Sequence, residues 1–325
     1  MVIKFGIIGY RNHSLRLIKI IEKNRNCKID FIYHPTKKIT DIRGTNDLSD
    51  LFECDAIVIS SPNETHYNYI VELENFKGYI FCEKPPVISK IQLKYLEKLP
   101  QRKKEKIFFN FNYRFSKLNQ NLIKQLKSKK IGKIIQIYFI TGHGLAFKNN
   151  YLDSWRSDGK RNMHNILDTV AIHFLDLVSF DIGIIDEIEY FPNNYSKNGS
   201  SYDTSNLLLK FKKGPLVSIF NSYATSHLNE IMIIGTNGYF SSRDDEIIIR
   251  YPRDTFNNEG LFSPPPIKTR KKYNAFDDHN FSLMESVNYF VKCIKTKKKI
   301  PLKLFESSIA TNKVIINLKN EFSKK

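Results

Sequence analysis

The sequence predicts an α/β protein in two parts: a parallel, doubly wound sheet over residues 1–118, then an α+β part with an open, mostly antiparallel sheet over residues 119–325. Three observations predict it. Through residue 118, short apolar runs alternate with amphipathic stretches of helical period, a pattern that builds a parallel sheet covered on both faces. Beyond residue 118, strand-like runs follow one another with turn residues between them, as antiparallel sheets require. The length of 325 residues also exceeds what one hydrophobic core usually organises.

In the first part the strand-like runs are "VIKFGII", "KIDFIY", "DAIVISS", "YIFCEK" and "KIFFNF", with helical stretches "SLRLIKIIEKN", "ETHYNYIVELEN" and "SKIQLKYLEKL" between them. A helix over "SKLNQNLIKQLKSKK" opens the second part and leads into the strand "IIQIYFITG". An apolar helix is expected over about residues 164–179. Strand signals follow in "DEIEYF", "SNLLLKF", "PLVSIFNSYAT", "NEIMIIG" and "DEIIIRY", with an Asn-Gly turn in "GTNGYF". Residues 251–276 lack periodicity and are rich in proline, which predicts a long loop. Two closing helices, about 279–296 and 303–321, are free to pack back on the first part.

Hydrophobic content of 41% and charged content of 26% are those of a globular protein. No apolar run approaches the ~20 residues of a membrane span, and the N-terminus lacks a signal-peptide pattern. Cys27, Cys54, Cys82 and Cys293 are scattered without metal-ligand spacing, so they read as reduced thiols of a cytoplasmic protein with no metal site. The net charge of +18 is the strongest bulk signal. Its basic residues are spread through "KKEK", "KSKK", "TRKK" and "KTKKK" rather than gathered on one face. That argues for a solvated surface or a small polyanionic ligand, and against nucleic acid.

In "FGIIGYRNHS" a strand runs into Gly9 and a helix follows, the position of a dinucleotide-binding phosphate turn. A G-x-G-x-x-G spacing would need glycines at 9, 11 and 14; the chain has Gly9, Arg11 and Ser14. Arg11 puts a side chain where the diphosphate would lie, yet a guanidinium pairs well with phosphate. Ser14 is small enough to pack there and suited to capping the helix. Gly9, Ser61–Pro62 and Glu83–Lys84 all fall at the carboxyl ends of predicted strands, so a parallel sheet gathers them at one crevice. At the end of the second strand, where NAD users carry an acid, "DFIYHPTKK" offers His34, Thr36, Lys37 and Lys38, a tilt toward NADP.

These pieces resemble the glucose-fructose oxidoreductase/inositol dehydrogenase (Gfo/Idh/MocA) family. "DAIVISSPNETHYNYIVEL", "FCEKPP", "NYRFSK" with "KIGKIIQIYF", "WRSDG" with "AIHFLDL", and "IIGTNGYF" resemble its motifs in order and over nearly the whole chain. The resemblance implies a Rossmann domain, a second domain whose open sheet serves dimerisation, and hydride transfer between NAD or NADP and a sugar, cyclitol or nucleotide-sugar. It implies Lys84 of the Glu-Lys-Pro signature as acid/base, with Pro85 and Pro86 stiffening its turn. His173 would assist it, and Asp176, one helical turn on, would anchor a substrate hydroxyl. Cofactor contacts would come from Gly9, Tyr10, Arg11, Asn12, His34, Ser61, Pro62, Asn63, His66, Glu83, Lys84 and Pro85. Arg156, Lys160 and Arg161 are suited to a substrate phosphate or carboxylate. Plainer roles fit the same residues: a core histidine at 173, a surface acid at 176, a helix cap at Asn63 or Thr65, a basic surface loop at 156–161.

The family helix usually carries a Gly-Gly-Gly run and an Asp four residues before its His. Here Met163, His164 and Asn165 stand for the glycines and Thr169 takes the Asp position on the substrate side. Asp168 lies one residue off, about 100° round a helix, unless a bulge restores it. Two readings follow: the oxidoreductase above, and a fold relative that binds a nucleotide or sugar-phosphate without redox turnover. The expected partners are a sugar or nucleotide-sugar, as in surface-glycan biosynthesis, and further copies of the chain, as homodimer or dimer of dimers, with no nucleic acid and no membrane.

Overall fold

A computed structural model describes residues 2–253 and 256–322. The chain divides into two compact units, residues 1–115 with 281–317, and residues 116–280 with 318–325. Residues 281–317 of the closing helices count with the first unit.

The first unit runs through β1 (Ile3–Ile8), α1 (Asn12–Glu22), β2 (Cys27–Tyr33), β3 (Gly44–Thr45), β4 (Ala56–Ile59), α2 (His66–Glu72), β5 (Tyr79–Glu83), α3 (Lys90–Lys98), α4 (Gln101–Lys104) and β6 (Ile107–Asn110). All six strands pair in parallel in the order β3-β2-β1-β4-β5-β6. This is the doubly wound order, whose switch point lies between β1 and β4. Both faces are covered, so β1 and β4 read as continuous apolar runs; Phe5, Ile7, Ile8, Ala56, Ile57 and Ile59 are all buried. α1 presents Leu17, Ile18 and Ile21 to this core as one stripe. Val287, Phe290 and Ile294 complete it from late in the chain.

The second unit contains α5 (Lys117–Lys127), β7 (Ile134–Gly142), α6 (Gly159–Asn162), α7 (Ile172–Asp181), β8 (Ile185–Asn193), β9 (Thr204–Phe211), β10 (Leu216–Ser222), β11 (Leu228–Gly235), β12 (Gly238–Arg243), β13 (Glu246–Arg250) and β14 (Ile267–Lys272). Helices α8 (Ala275–Lys295) and α9 (Leu302–Phe322) end the described chain. The eight strands form one sheet, β14-β13-β12-β11-β7-β10-β9-β8, antiparallel except where β7 meets β10. Period-two alternation buries Ile137, Phe139, Leu207, Val217 and Ile231 on one face. On the other face Tyr138, Leu208, Leu216 and Met232 stay 36–52% exposed.

Two expectations change. Residues 251–276 are not an unbroken loop, since Ile267–Lys272 pair with β13 as an edge strand. That strand is "IKTRKK", exposed nearly throughout, so no buried face imposes an apolar period on it. The helix expected over 164–179 is divided: a π turn, Leu167–Ala171, precedes α7. Among the described residues, no helix is long and apolar enough to cross a membrane.

Candidate active site

At the switch point, β1 ends and Gly9 turns the chain with φ +109°, a conformation that side-chain-bearing residues rarely adopt. A Cβ there would meet Ser60 O at 2.9 Å and Ser61 N at 3.1 Å, so the turn passes tightly over the end of β4. Arg11 is exposed, extended (φ −127°, ψ 178°), and stands at the N-cap of α1. Ser14 is fully buried; its Oγ donates to Ser60 O (3.3 Å) and accepts from Ser60 Oγ (2.9 Å). Ser14 therefore serves close helix–strand packing, the third glycine's task, and does not cap the helix. Tyr10 packs its ring on the core, which leaves its backbone for any cofactor contact. These residues fit a dinucleotide: a glycine where no Cβ has room, exposed Arg11 and Asn12, and the positive end of α1.

At the end of β2, His34 Nδ1 accepts from the backbone N–H groups of Lys37 (2.9 Å) and Thr36 (3.3 Å), which leaves Nε2 as a donor. Burial, then the charges of Lys37 and Arg11, push its pKa down and keep it neutral.

β5 delivers Glu83 and Lys84 at the same sheet edge. Glu83 is buried; its Oε1 accepts from Asn110 Nδ2 (2.7 Å) and lies 2.8 Å from Nε2 of His13 on the first turn of α1. Burial pushes its carboxyl up, but His13, Asn110 and Lys84 outweigh burial and hold it at about 2. Glu83 is thus an anion at neutral pH. Lys84 is half-buried and joined to Pro85 by a cis bond. Beyond it, Pro85 O lies 2.9 Å from His66 Nδ1, and Val87 N–H donates to Asn312 Oδ1 (2.9 Å).

His66 needs a correction. Its ring is wholly buried, with Nδ1 against Pro85 O and Nε2 3.0 Å from Ser61 O, so it braces the "SPN" turn against the Glu-Lys-Pro turn and does not line the cofactor pocket. Burial pushes its pKa down against the pull of both carbonyls and Glu83. Asn63 is only half-buried, and it caps no helix; the turn it opens has Pro62 as N-cap, and Thr65, the N-cap of α2, gives no side-chain cap bond.

In the second unit the π turn does not turn Asp168 into the missing acid. Asp168 is buried, its Oδ2 accepts from Asn162 Nδ2 (2.7 Å), and it pairs with Lys319 Nζ from α9. Thr169 Oγ1 instead donates to Asn165 O (2.7 Å) and lies 2.5 Å from the Tyr223 hydroxyl. The Tyr223 ring stacks on His143 at 5.1 Å, and burial pushes its hydroxyl's pKa up against the nearby charge of Arg156. The guanidinium carbons of Arg156 and Arg161 stand 4.5 and 5.8 Å from the Trp155 ring centre, beside a cleft of about 430 Å³ that Trp155, Asp158 and Arg161 help to line. Lys160 is exposed, and its backbone N–H is capped by Asp158. His173 and Asp176 are both buried on α7, so Asp176 is not a surface acid.

Two family models match these units: "Oxidoreductase family, NAD-binding Rossmann fold" over residues 3–111 and "GFO/IDH/MocA C-terminal domain" over residues 119–241. The chain belongs to the Gfo/Idh/MocA family. The oxidoreductase YteT of Bacillus subtilis is 23% identical over 40% of this chain and 30% of its own length. The myo-inositol 2-dehydrogenase of Thermotoga maritima is 23% identical over 91% of this chain and 87% of its own. An Agrobacterium radiobacter oxidoreductase, solved with NAD+, L-tartaric acid and magnesium, superposes with a TM-score of 0.78 at 16% identity, covering 98% of this chain and 97% of that one. At such identity the likeness shows the fold.

Four residues escape sequence reasoning, His13 and Asn110 in the first unit and Tyr223 and Lys319 in the second. Each acts on a residue far away in the chain, 70 positions in the case of His13 and Glu83, and none stands in a motif that would single it out.

Proposed function

We propose that this chain is an NAD(P)-dependent oxidoreductase that moves hydride between a secondary alcohol and its ketone on a sugar or nucleotide-sugar. The observation that carries it is the clamped Glu83-Lys84-Pro85 turn on the same sheet edge as Gly9. The nicotinamide, when bound, supplies the hydride acceptor or donor. Lys84, half-buried at the strand end, takes or returns the hydroxyl proton. His173 and Asp176 hold substrate hydroxyls, and the Arg156–Arg161 segment complements a phosphate or carboxylate. The myo-inositol dehydrogenase relative supports a polyol or sugar substrate, and the net charge of +18 supports an anionic one. Titration with NADPH and NADH tests the reading: micromolar binding of either is expected, and none up to millimolar ligand overturns it.

NADP is the proposed preference. The end of β2 offers His34 Nε2 as a donor, with Lys37 and Arg11 close enough to lower its pKa. A 2′-phosphate would find donors there, and positions 34–38 carry no acid. Arg11→Ala should weaken NADPH about ten-fold, roughly the 1.5 kcal/mol of a charge-assisted hydrogen bond, and leave NADH nearly unchanged. Equal losses for both would place Arg11 at the diphosphate instead.

For the exposed sheet face of Tyr138, Leu208, Leu216 and Met232 the proposed cover is a second copy of the chain. Light scattering at micromolar protein should give at least twice 38.1 kDa, and Leu208→Glu with Met232→Glu should return the mass to one chain. A clean wild-type monomer overturns this. One observation favours the second reading, a binding protein without turnover: Thr169 stands at the acid's place while Asp168 is engaged by Lys319.

A further inference from the structure

A buried carboxylate beside a catalytic amine works against it. Glu83 directly precedes Lys84, and an anion with no other partner would hold the proton on the lysine. In this chain the carboxylate has other partners, Asn110 Nδ2 at 2.7 Å and His13 Nε2 at 2.8 Å. The charged and titratable groups that face Glu83 are His13 on α1, Lys84 in the turn, Cys82 on β5 and His66 on α2. Burial keeps the Cys82 thiol protonated and pushes His66 toward neutral. His13 and Lys84 are left as the two groups that can answer the charge. His13 keeps 39% of its side chain exposed, while its Nε2 is buried against Glu83.

We propose that His13 is a positioning residue for Lys84 that acts through Glu83: by holding the carboxylate at Nε2, it keeps that charge from falling on Lys84 alone, and so lets the lysine release its proton at lower pH. The contact also joins the first turn of α1, at the phosphate turn, to the strand end that carries Lys84. The purpose of the arrangement rests on the acid/base reading of Lys84 given above; its test does not.

The test is pulse acetylation of the full chain with acetic anhydride, without added cofactor, from neutral to alkaline pH. Modification of Lys84 is followed by peptide mass spectrometry, with exposed lysines as internal references. In His13→Leu the Lys84 midpoint should move up by about 0.5–1 pH unit, the worth of roughly one hydrogen bond to the carboxylate, since Glu83 then keeps only Asn110 beside the lysine. His13→Gln, which keeps an N–H at the Nε2 position, should restore the wild-type midpoint. Should the leucine variant fail to fold, His13→Asn is polar but too short to reach Glu83, and it should show the same rise. A midpoint unmoved in the leucine or asparagine variant, or moved equally in glutamine, overturns the proposal. Failure to bind NADPH or NADH would overturn the redox reading while leaving this shift to be seen.

Discussion

Lys84→Ala is expected to lower turnover about a thousand-fold and to leave dinucleotide affinity within a factor of about three. The turn's geometry is set by other groups: Glu83 by Asn110 and His13, Pro85 by its contact with His66, Val87 by Asn312. Removing the ammonium leaves all of them in place, so the variant tests chemistry rather than folding. General acid–base assistance contributes 10²–10⁴ in typical enzymes, and a rigid turn should place this lysine in the upper half of that range. The assay follows NAD(P)H formation with a panel of inositols, hexoses, sugar phosphates and nucleotide-sugars. An alanine variant as active as wild type would remove Lys84 from the mechanism. A wild type that binds NADPH but turns over no member of the panel would favour the binding reading instead.

The parallel sheet and its switch point are legible in the sequence because both rest on local signals: apolar runs for β1 and β4, and a glycine where a Cβ would strike Ser60. The Glu-Lys-Pro turn is legible as a motif, and its position at a strand end follows from alternation alone. What clamps that turn is not. His66 reads as a pocket residue beside Asn63, yet only the fold shows that both its nitrogens face backbone carbonyls. Ser14 reads equally well as cap or packing residue, and its bonds to Ser60 decide for packing. The edge strand Ile267–Lys272 carries no apolar period because neither of its faces is buried. The π turn is harder still. Its consequence for Asp168 depends on Lys319, 151 positions away, which no local pattern connects to it.

Lys319→Met should destabilise the protein by about 3–5 kcal/mol and lower the unfolding temperature by on the order of 10 °C. Asp168 is 1% exposed and Lys319 18%, so the two partners are not equivalent. Without the lysine, the carboxylate stays buried with Asn162 as its remaining donor. Without the carboxylate, the lysine can extend toward water, so Asp168→Asn should cost much less. Asp168→Leu combined with Lys319→Met should regain most of the lysine variant's loss, since a buried ion pair exchanged whole for apolar groups is near neutral. Losses that merely add would show that the pair is not the cause. Acid gives an independent check through His164, which burial and then Lys319, against Asp168, hold at about 4 instead of the ordinary 6.5. A depressed imidazole means that the unfolded chain binds the extra proton first, so wild-type stability falls as pH drops from about 6.5 toward 4. In Lys319→Met the repelling cation is gone and Asp168 remains, so His164 should titrate at higher pH and that decline should shrink. The gap between wild type and variant should therefore be widest above pH 6.5 and narrow toward 4, and a gap that stayed constant would mean that Lys319 does not set the charge state of this buried cluster.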